Sequence, residues 1–393
     1  MKKILIFSLA YYPRHVSGAE AAIKELTDRI SPETYEFHMI THRFDSHDMS
    51  LETIGNVHIH RVGLASENLG YISKILFVPL AVYKARQLHH MHHFDMLWAM
   101  MTYMLFPTVL AQYCGVRIPH ILTLQDGDSY EKVFGRLKVR LVRPIIDYGF
   151  RNARVIQVIS KYLGTWPMLR GSNAPVVLIH NGANPRDLKE QVSNEAIAAI
   201  KEKFNKKSED VWLVNTARLV HQKGNDTTIR ALRLLPDNIK LLLVGGGEDE
   251  EMLRNVAKEE EVADRIMFAG NVDRSIVSAY RKASDIFVAP SRSEGLGNAF
   301  LSAMASRLPV VATQAGGLAD FIFDEIHNPE VAPTGWVVKA DSPESIAAAV
   351  KDILAHPDKV KMVTETARAM VVRDYDWDII ANEMKTKVFD IIH

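Results

Sequence analysis

Twelve short apolar runs, each followed by a stretch of helix length, are the feature that most restricts what this chain can fold into. They lie at residues 3–9, 36–40, 94–98, 118–124, 154–159 and 176–179, and again at 211–215, 240–244, 265–268, 285–289, 309–312 and 335–338. Strands separated by helix-length segments cannot be joined by hairpins, so they run parallel, with helices covering both faces of the sheet. The pattern restarts after a polar, strand-poor stretch at 185–194, which reads as a linker, and 393 residues are too many for one ordinary core. The fold class expected is therefore α/β: two Rossmann-like doubly wound parallel-sheet domains facing a cleft, at residues 1–185 and 186–375. A terminal helix, 376–393, carries Trp377, Ile380, Met384, Val388 and Ile391 at helical spacing and is expected to pack back on the N-terminal domain.

Composition excludes several classes. An apolar fraction of 47% with 24% charged residues is that of an ordinary soluble protein. The single cysteine, Cys114, excludes an intramolecular disulfide and a cysteine-based zinc site, and Met1-Lys2-Lys3-Ile4 runs straight into a strand, so a cytoplasmic setting is expected. The most apolar region, Met96 to Val116, is interrupted by Pro107 and reads as a strand followed by a helix rather than a membrane span. Net charge is zero, but residues 1–185 hold 20 Lys and Arg against 14 Asp and Glu, and the remainder 27 against 33. A basic first half suits an anionic surface or substrate. Its densest run, Arg136, Lys138, Arg140, Arg143, Arg151 and Arg154, fits a solvated helix face and peripheral contact with acidic lipids on the inner face of a membrane equally well. The run His89, His90, His92, His93 is read as a helix end rather than a metal site, because Met91 and Phe94 flank it. No basic stretch is interleaved with aromatics as a nucleic-acid surface would be.

Three segments carry chemistry. In residues 291–317, SRSEGLGNAFLSAMASRLPVVATQAGG, Gly295 and Gly297 permit close backbone approach to a ligand, and a helix begins at Gly297 or Asn298 with its free N–H groups facing the loop, as a phosphate requires. Residues 215–224, NTARLVHQKG, follow an apolar strand and put Arg218 and Lys223 at its carboxyl end, where open α/β sheets bind ligands; two cations there suit a diphosphate. Gly245, Gly246 and Gly247 follow another strand at the same edge. Neither these glycines nor the Tyr11–Gly18 loop has the spacing of the dinucleotide fingerprint, which argues against a dehydrogenase.

Together these loops resemble glycosyltransferase family 4. The resemblance spans nearly the whole chain: Pro13, Gly18 and Glu20 after the first strand, IHNGAN at 179–184, Arg218 with Lys223, FAGNV at 268–272, and the long segment from 290 to 317. It implies the two-domain GT-B fold and transfer of a hexose, with retention of anomeric configuration, from a UDP- or GDP-sugar to a sugar or lipid-linked acceptor in cell-surface polysaccharide or glycolipid synthesis. By the same resemblance Arg218 and Lys223 hold the donor diphosphate and Glu294 meets the hydroxyls of the transferred sugar. The N–H groups around Leu296, Gly297, Asn298 and Ala299 face the phosphates, Gly246 lies in the donor site, and the loop through Val272 cradles the base. Gly18 lies across the cleft near phosphates and acceptor. No metal or cofactor is expected.

Two departures stand out. The family's acidic pair has seven residues between its members, and Ser302 stands where the second acid binds ribose. A hydroxyl replaces a charge-assisted bond of about 1.5–3 kcal/mol with a neutral one of about 0.5–1.5 kcal/mol. Gln125 stands where many relatives carry a histidine, so positioning of the acceptor there rests on hydrogen bonds shared with Asp126. The Asp126-Gly127-Asp128 triplet is read as a chance likeness to the metal-binding acids of the other glycosyltransferase fold. A catalytically impaired relative that binds a nucleotide or acts as a scaffold, and an epimerase or phosphorylase of the same fold, are the rival readings. The choice of donor base, sugar and acceptor depends on side chains in loops such as 41–70 and 126–136.

Overall fold

The computed structural model describes residues 1–13, 16–63 and 70–391, with backbone only for 70–72, 74 and 138, so the side chain of Lys138 and part of the Tyr11–Gly18 and 41–70 loops lie outside the described residues. The chain divides into two units, residues 1–181 with 377–393, and residues 182–376. The crossing point thus falls at Asn181–Gly182, ahead of the 185 boundary read from sequence.

The first unit contains β1 (Lys2–Phe7), β2 (Tyr35–His42), β3 (Leu51–Ile54), β4 (Val57–Val62), β5 (Met96–Met100), β6 (His120–Leu124), β7 (Val155–Val158) and β8 (Val176–Leu178). Their order is β3-β4-β2-β1-β5-β6-β7-β8, parallel throughout except for β3 against β4. Every strand read from the sequence is present. The β3–β4 hairpin is an addition, and it occupies much of what reads as loop 41–70. Gly55, at φ +57°, and Asn56 close it, and Val57 and Ile59 bury their side chains while His58 faces out. Residues 96–113 form β5 and, after a short turn, the Leu105–Tyr113 helix. None of the described helices is long and apolar enough to cross a membrane.

Ile4, Ile6, Phe37, Met39, Ile59 and Trp98 form the core on one side of this sheet, and the terminal segment supplies Trp377, Ile380, Met384, Val388 and Phe389 to the same cluster. Each such burial is worth about 1.5–3 kcal/mol, so the terminal segment is part of the first unit's core rather than an appendage. Ile391, expected on that buried face, is 44% exposed, and Phe389 is fully buried instead. The cause is a π turn at Lys385–Phe389, whose extra residue rotates the apolar face by one position.

The second unit contains β9 (Val211–Thr216), β10 (Ile239–Val244), β11 (Ile266–Gly270), β12 (Ile286–Ala289), β13 (Val310–Ala312) and β14 (Trp336–Val337), all parallel, in the order β11-β10-β9-β12-β13-β14. That order, 3-2-1-4-5-6, is the doubly wound Rossmann arrangement, and its direction reverses between β9 and β12. Leu213, Leu241, Leu243, Val288 and Val311 bury their side chains against Ile229, Ile346 and Val350 of the flanking helices.

Candidate functional site

At a switch point the loops leaving adjacent strands depart to opposite faces and open a crevice at the carboxyl edge. In the second unit the loops after β9, β10, β12 and β13 are laced together there by backbone bonds. Leu219 N–H donates to Gly246 O at 2.9 Å and Asp249 N–H to Leu219 O at 3.1 Å, joining the β9 and β10 loops. Arg292 N–H donates to Gln222 O at 2.8 Å, and the Gln222 amide to Ser293 O at 2.7 Å, joining β9 to β12. Gly317 N–H donates to Glu294 O at 3.0 Å, which brings in the loop after β13. Gly246 N–H is held at 2.9 Å by the side chain of Asn271, next to the half-buried Val272. The sequence-assigned donor loops therefore form one rim.

Lys223 and Glu294 meet on this rim. The Lys223 ammonium donates to Glu294 Oε1 at 2.6 Å, and Ser291 Oγ donates to the same oxygen at 2.9 Å. Both side chains are largely buried, at 15% and 8% exposure, so the pair is held in a medium where charge–charge attraction is strong and a lone charge would be costly. Glu294 Oε2 receives no bond from a described residue. The expectation that Lys223 and Glu294 act on separate parts of a ligand is thus refined: each sets the position of the other. Arg218 is exposed and has no acid partner among the described residues. Arg292, which the sequence reading did not single out, is bound to Asp226 at 2.8 Å and to Asp341 at 2.6 Å, and is spent on joining loops.

The helix Asn298–Ala305 starts from Gly297, whose φ of +104° and whose place 2.7 Å from Leu318, measured from where a Cβ would stand, leave room for no side chain. Phe300 N–H already bonds Gly297 O at 3.0 Å, whereas the N–H groups of Asn298 and Ala299 meet no acceptor among the described residues. Leu296 is buried beneath them and anchors the turn. Two N–H groups without an acceptor among the described residues, at the positive end of a helix dipole, have the chemistry that suits an anion.

Ser302 is bound otherwise than the sequence reading expects. Its hydroxyl donates to Asn298 O at 2.8 Å and accepts from Asn184 N–H at 3.1 Å, and the residue is 4% exposed. The serine fastens the segment that enters the second unit to this helix.

In the first unit, Gln125 and Asp126 are the residues expected to position the acceptor. Gln125 is buried, and its amide oxygen accepts from Asn181 Nδ2 at 2.9 Å. Asp126 is buried too; its Oδ2 accepts from the Thr102 hydroxyl at 3.0 Å and the Thr102 N–H at 3.2 Å, and burial pushes its pKa up to about 6. Asp128 instead pairs with Lys132 at 2.8 Å and Arg136 at 2.6 Å, so the two acids of the triplet turn to different partners. Gly18 opens the Gly18–Thr27 helix, and Glu20 accepts from the Ser17 N–H at 2.7 Å, closing a capping box.

The family model for glycosyl transferases group 1 matches residues 196–370, which take in the whole rim. These residues are similar to the group 1 glycosyl transferases. Over 182 residues the chain is 34% identical to a GDP-mannose-dependent alpha-(1-6)-phosphatidylinositol monomannoside mannosyltransferase of Mycobacterium tuberculosis, a match that covers 44% of this chain and 46% of the relative. The match thus spans less than half the length of that relative. Two solved structures share the fold over the entire chain: sucrose-phosphate synthase from Thermosynechococcus elongatus, at a TM-score of 0.82 and 19% identity, covering 100% of this chain and 99% of that one, and HepE of Anabaena in complex with UDP and glucose, at 0.79 and 18%, covering 100% of both. The architecture is GT-B.

In the second unit, one side chain of consequence is not legible in the sequence. Asp187 sits in what reads as a polar linker, yet it is fully buried in a short Pro185–Leu188 helix. Its Oδ2 accepts from Arg281 and from Ser278 Oγ at 3.0 Å, and its Oδ1 from Ser306 Oγ at 2.6 Å. Arg281 also reaches Thr216 Oγ1, at 3.3 Å, on the end of β9. The stretch read as a linker is therefore an anchored part of the second unit. The only signal available was Asp two residues after a proline at a helix start, which marks a cap rather than a buried ion pair.

Proposed function

We propose that the protein is a retaining hexosyltransferase that takes its sugar from a nucleotide diphosphate donor and passes it to a sugar or lipid-linked acceptor. One observation carries this reading: Arg218 and the N–H groups of Asn298 and Ala299, which have no partner among the described residues, and the buried Lys223–Glu294 pair lie on loops bonded to each other at the switch point of one sheet. Two cations and a helix terminus match a diphosphate, and a carboxylate with one oxygen free matches sugar hydroxyls. The similar proteins support the donor class, the mannosyltransferase being GDP-mannose-dependent and the HepE structure holding UDP and glucose. A phosphatidylinositol-linked acceptor in the first of these supports a lipid-linked one here. So does the first unit's surface at 136–143, where Leu137 and Leu141 stand 71% and 76% exposed beside Arg140. Such a mixture of apolar and basic side chains suits peripheral contact with an acidic membrane face from the cytoplasmic side.

In the mechanism proposed, the bond between the anomeric carbon and the diphosphate oxygen lengthens first. Negative charge grows on the leaving phosphate, where Arg218, Lys223 and the N–H groups of Asn298 and Ala299 stabilise it, and the ring becomes oxocarbenium-like. The acceptor hydroxyl then adds to the same face, and its proton passes to the leaving phosphate oxygen. The products are a glycoside of unchanged anomeric configuration and a nucleoside diphosphate. No nucleophile from the protein and no metal takes part in any of these steps.

The test is release of nucleoside diphosphate from a panel of UDP-, GDP- and ADP-hexoses. Arg218→Ala is expected to lower turnover about 100-fold with little change in thermal stability, because an exposed guanidinium contributes little to folding. Undiminished turnover in that variant would sink the proposal. A binding-only relative would be raised in melting temperature by a nucleoside diphosphate yet release none from any donor.

A further inference from the structure

The four histidines of the 89–93 run do not gather on one another. The Gly70–His92 helix ends among them, with His93 in the left-handed region at φ +54°, and His92 turns to strand β2. There Glu36 and His38, two residues apart on one strand, share a face of the sheet. His38 Nε2 lies 2.7 Å from Glu36 Oε1, His92 Nδ1 lies 3.9 Å from the same oxygen, and the three ligand atoms all fall within 4.8 Å of one another. Tetrahedral zinc, with ligands at about 2.0–2.1 Å, sets its donor atoms about 3.3 Å apart, so small side-chain rotations bring this set onto the ion.

We propose that Glu36, His38 and His92 form a binding site for a borderline divalent transition cation, Zn2+ being the natural occupant, that clips the end of the Gly70–His92 helix to β2. Two imidazoles and one carboxylate exclude Ca2+ and Mg2+, which take oxygen ligands. His38 is 4% exposed, whereas the side chains of His92 and Glu36 are 32% and 20% exposed, so a fourth position is open to water on their side. The outer support is present as well. His38 Nδ1 lies 3.1 Å from His60 Nε2, so a cation on Nε2 leaves the proton on Nδ1 aimed at an acceptor, which fixes ring and tautomer. The rings of His58 and Phe94 pack on His38 at 4.9 and 5.2 Å between centroids. Two lysines oppose a cation: Lys3 Nζ is 3.5 Å from Glu36 Oε2, the carboxylate's other oxygen, on a side chain 29% exposed, and the charge of Lys84 bears on His60.

The experiment uses the full chain without a polyhistidine tag, stripped with EDTA and dialysed, then titrated with Zn2+ against a chromophoric chelator and separately with Co2+ to read its visible bands. One ion per chain is expected, with a melting temperature raised on Zn2+ addition. His92→Ala and Glu36→Gln, both at partly exposed positions, should each weaken binding at least 10-fold and abolish the thermal shift, and His60→Phe should weaken it about 10-fold through loss of the outer hydrogen bond. His89→Ala and His90→Ala should bind as the parent does. The proposal is overturned if no saturable one-to-one binding occurs, if His92→Ala and Glu36→Gln bind as the parent, or if affinity is lost instead in the His89→Ala or His90→Ala variant.

Discussion

Ser302 shows how a single side chain is committed. A hydroxyl at this position has one proton and two lone pairs, and the structure uses the proton on Asn298 O and a lone pair on Asn184 N–H. Ser302→Ala is expected to lower the stability of the second unit by about 1 kcal/mol, the worth of such a bond, and to leave the donor KM within about twofold. A 10-fold rise in KM in steady-state assays would instead put ribose on this hydroxyl. The identity of the departure was legible in the sequence, because the spacing from Glu294 is read by counting. Its physical outcome was not, since a helical serine bonds either its own i−4 carbonyl or a neighbour, and the neighbour here, Asn184, is 118 residues away in the chain. The same holds for Lys223 and Glu294: both were assigned to the site from their loops, but their mutual bond across 71 residues follows only from the meeting of the β9 and β12 loops.

Among elements, the short helix Pro185–Leu188 repays a direct test. Asp187 is enclosed with Arg281, Ser278 and Ser306, and removing the acid leaves a buried guanidinium without its counter-charge. Asp187→Ala is expected to cost about 3–5 kcal/mol, read as a lowered denaturation midpoint, while Asp187→Ala combined with Arg281→Met recovers much of the loss because no charge is then stranded. Additive losses in that pair would show the ion pair to be incidental. Parallel strands were readable as elements because both faces of the sheet are covered, so runs such as KLLLV at 240–244 stand out from their polar surroundings. The β3–β4 hairpin was not read, although Gly55-Asn56 between LETI and VHIHRV is a two-residue turn signal, because alternate histidines lower the apolar content of β4. Likewise, the π turn at 385–389 has no composition of its own, which is why Ile391 rather than Phe389 was placed inside.

At the scale of the molecule the first unit carries a sensitivity to acid. His120, in the first unit, is fully buried between Gly149 O at 2.9 Å and Gln112 at 3.2 Å, and burial holds its pKa down to about 4. A histidine depressed in the folded state gives its full contribution above the unfolded value near 6.5 and loses it as pH falls towards 4, here up to about 3 kcal/mol. Asp126, raised to about 6, works in the opposite direction over an overlapping range and offsets part of the loss. Calorimetry between pH 7 and 4 should therefore show a fall in the first unit's transition that is distinctly shallower in His120→Gln; an equal fall in both would remove His120 as its cause. The two-sheet plan was legible because the strand–helix rhythm stops and restarts, whereas the point of division was not, since the chain passes between units through residues with no special composition. One consequence lies in the path of the backbone. Trp377, Ile380, Met384 and Phe389 complete a core begun by Ile4 and Ile6, and the whole second unit is synthesised in between. On the ribosome, then, the half of the protein that emerges earliest is the later to close, and it waits with an open apolar seam while its successor folds.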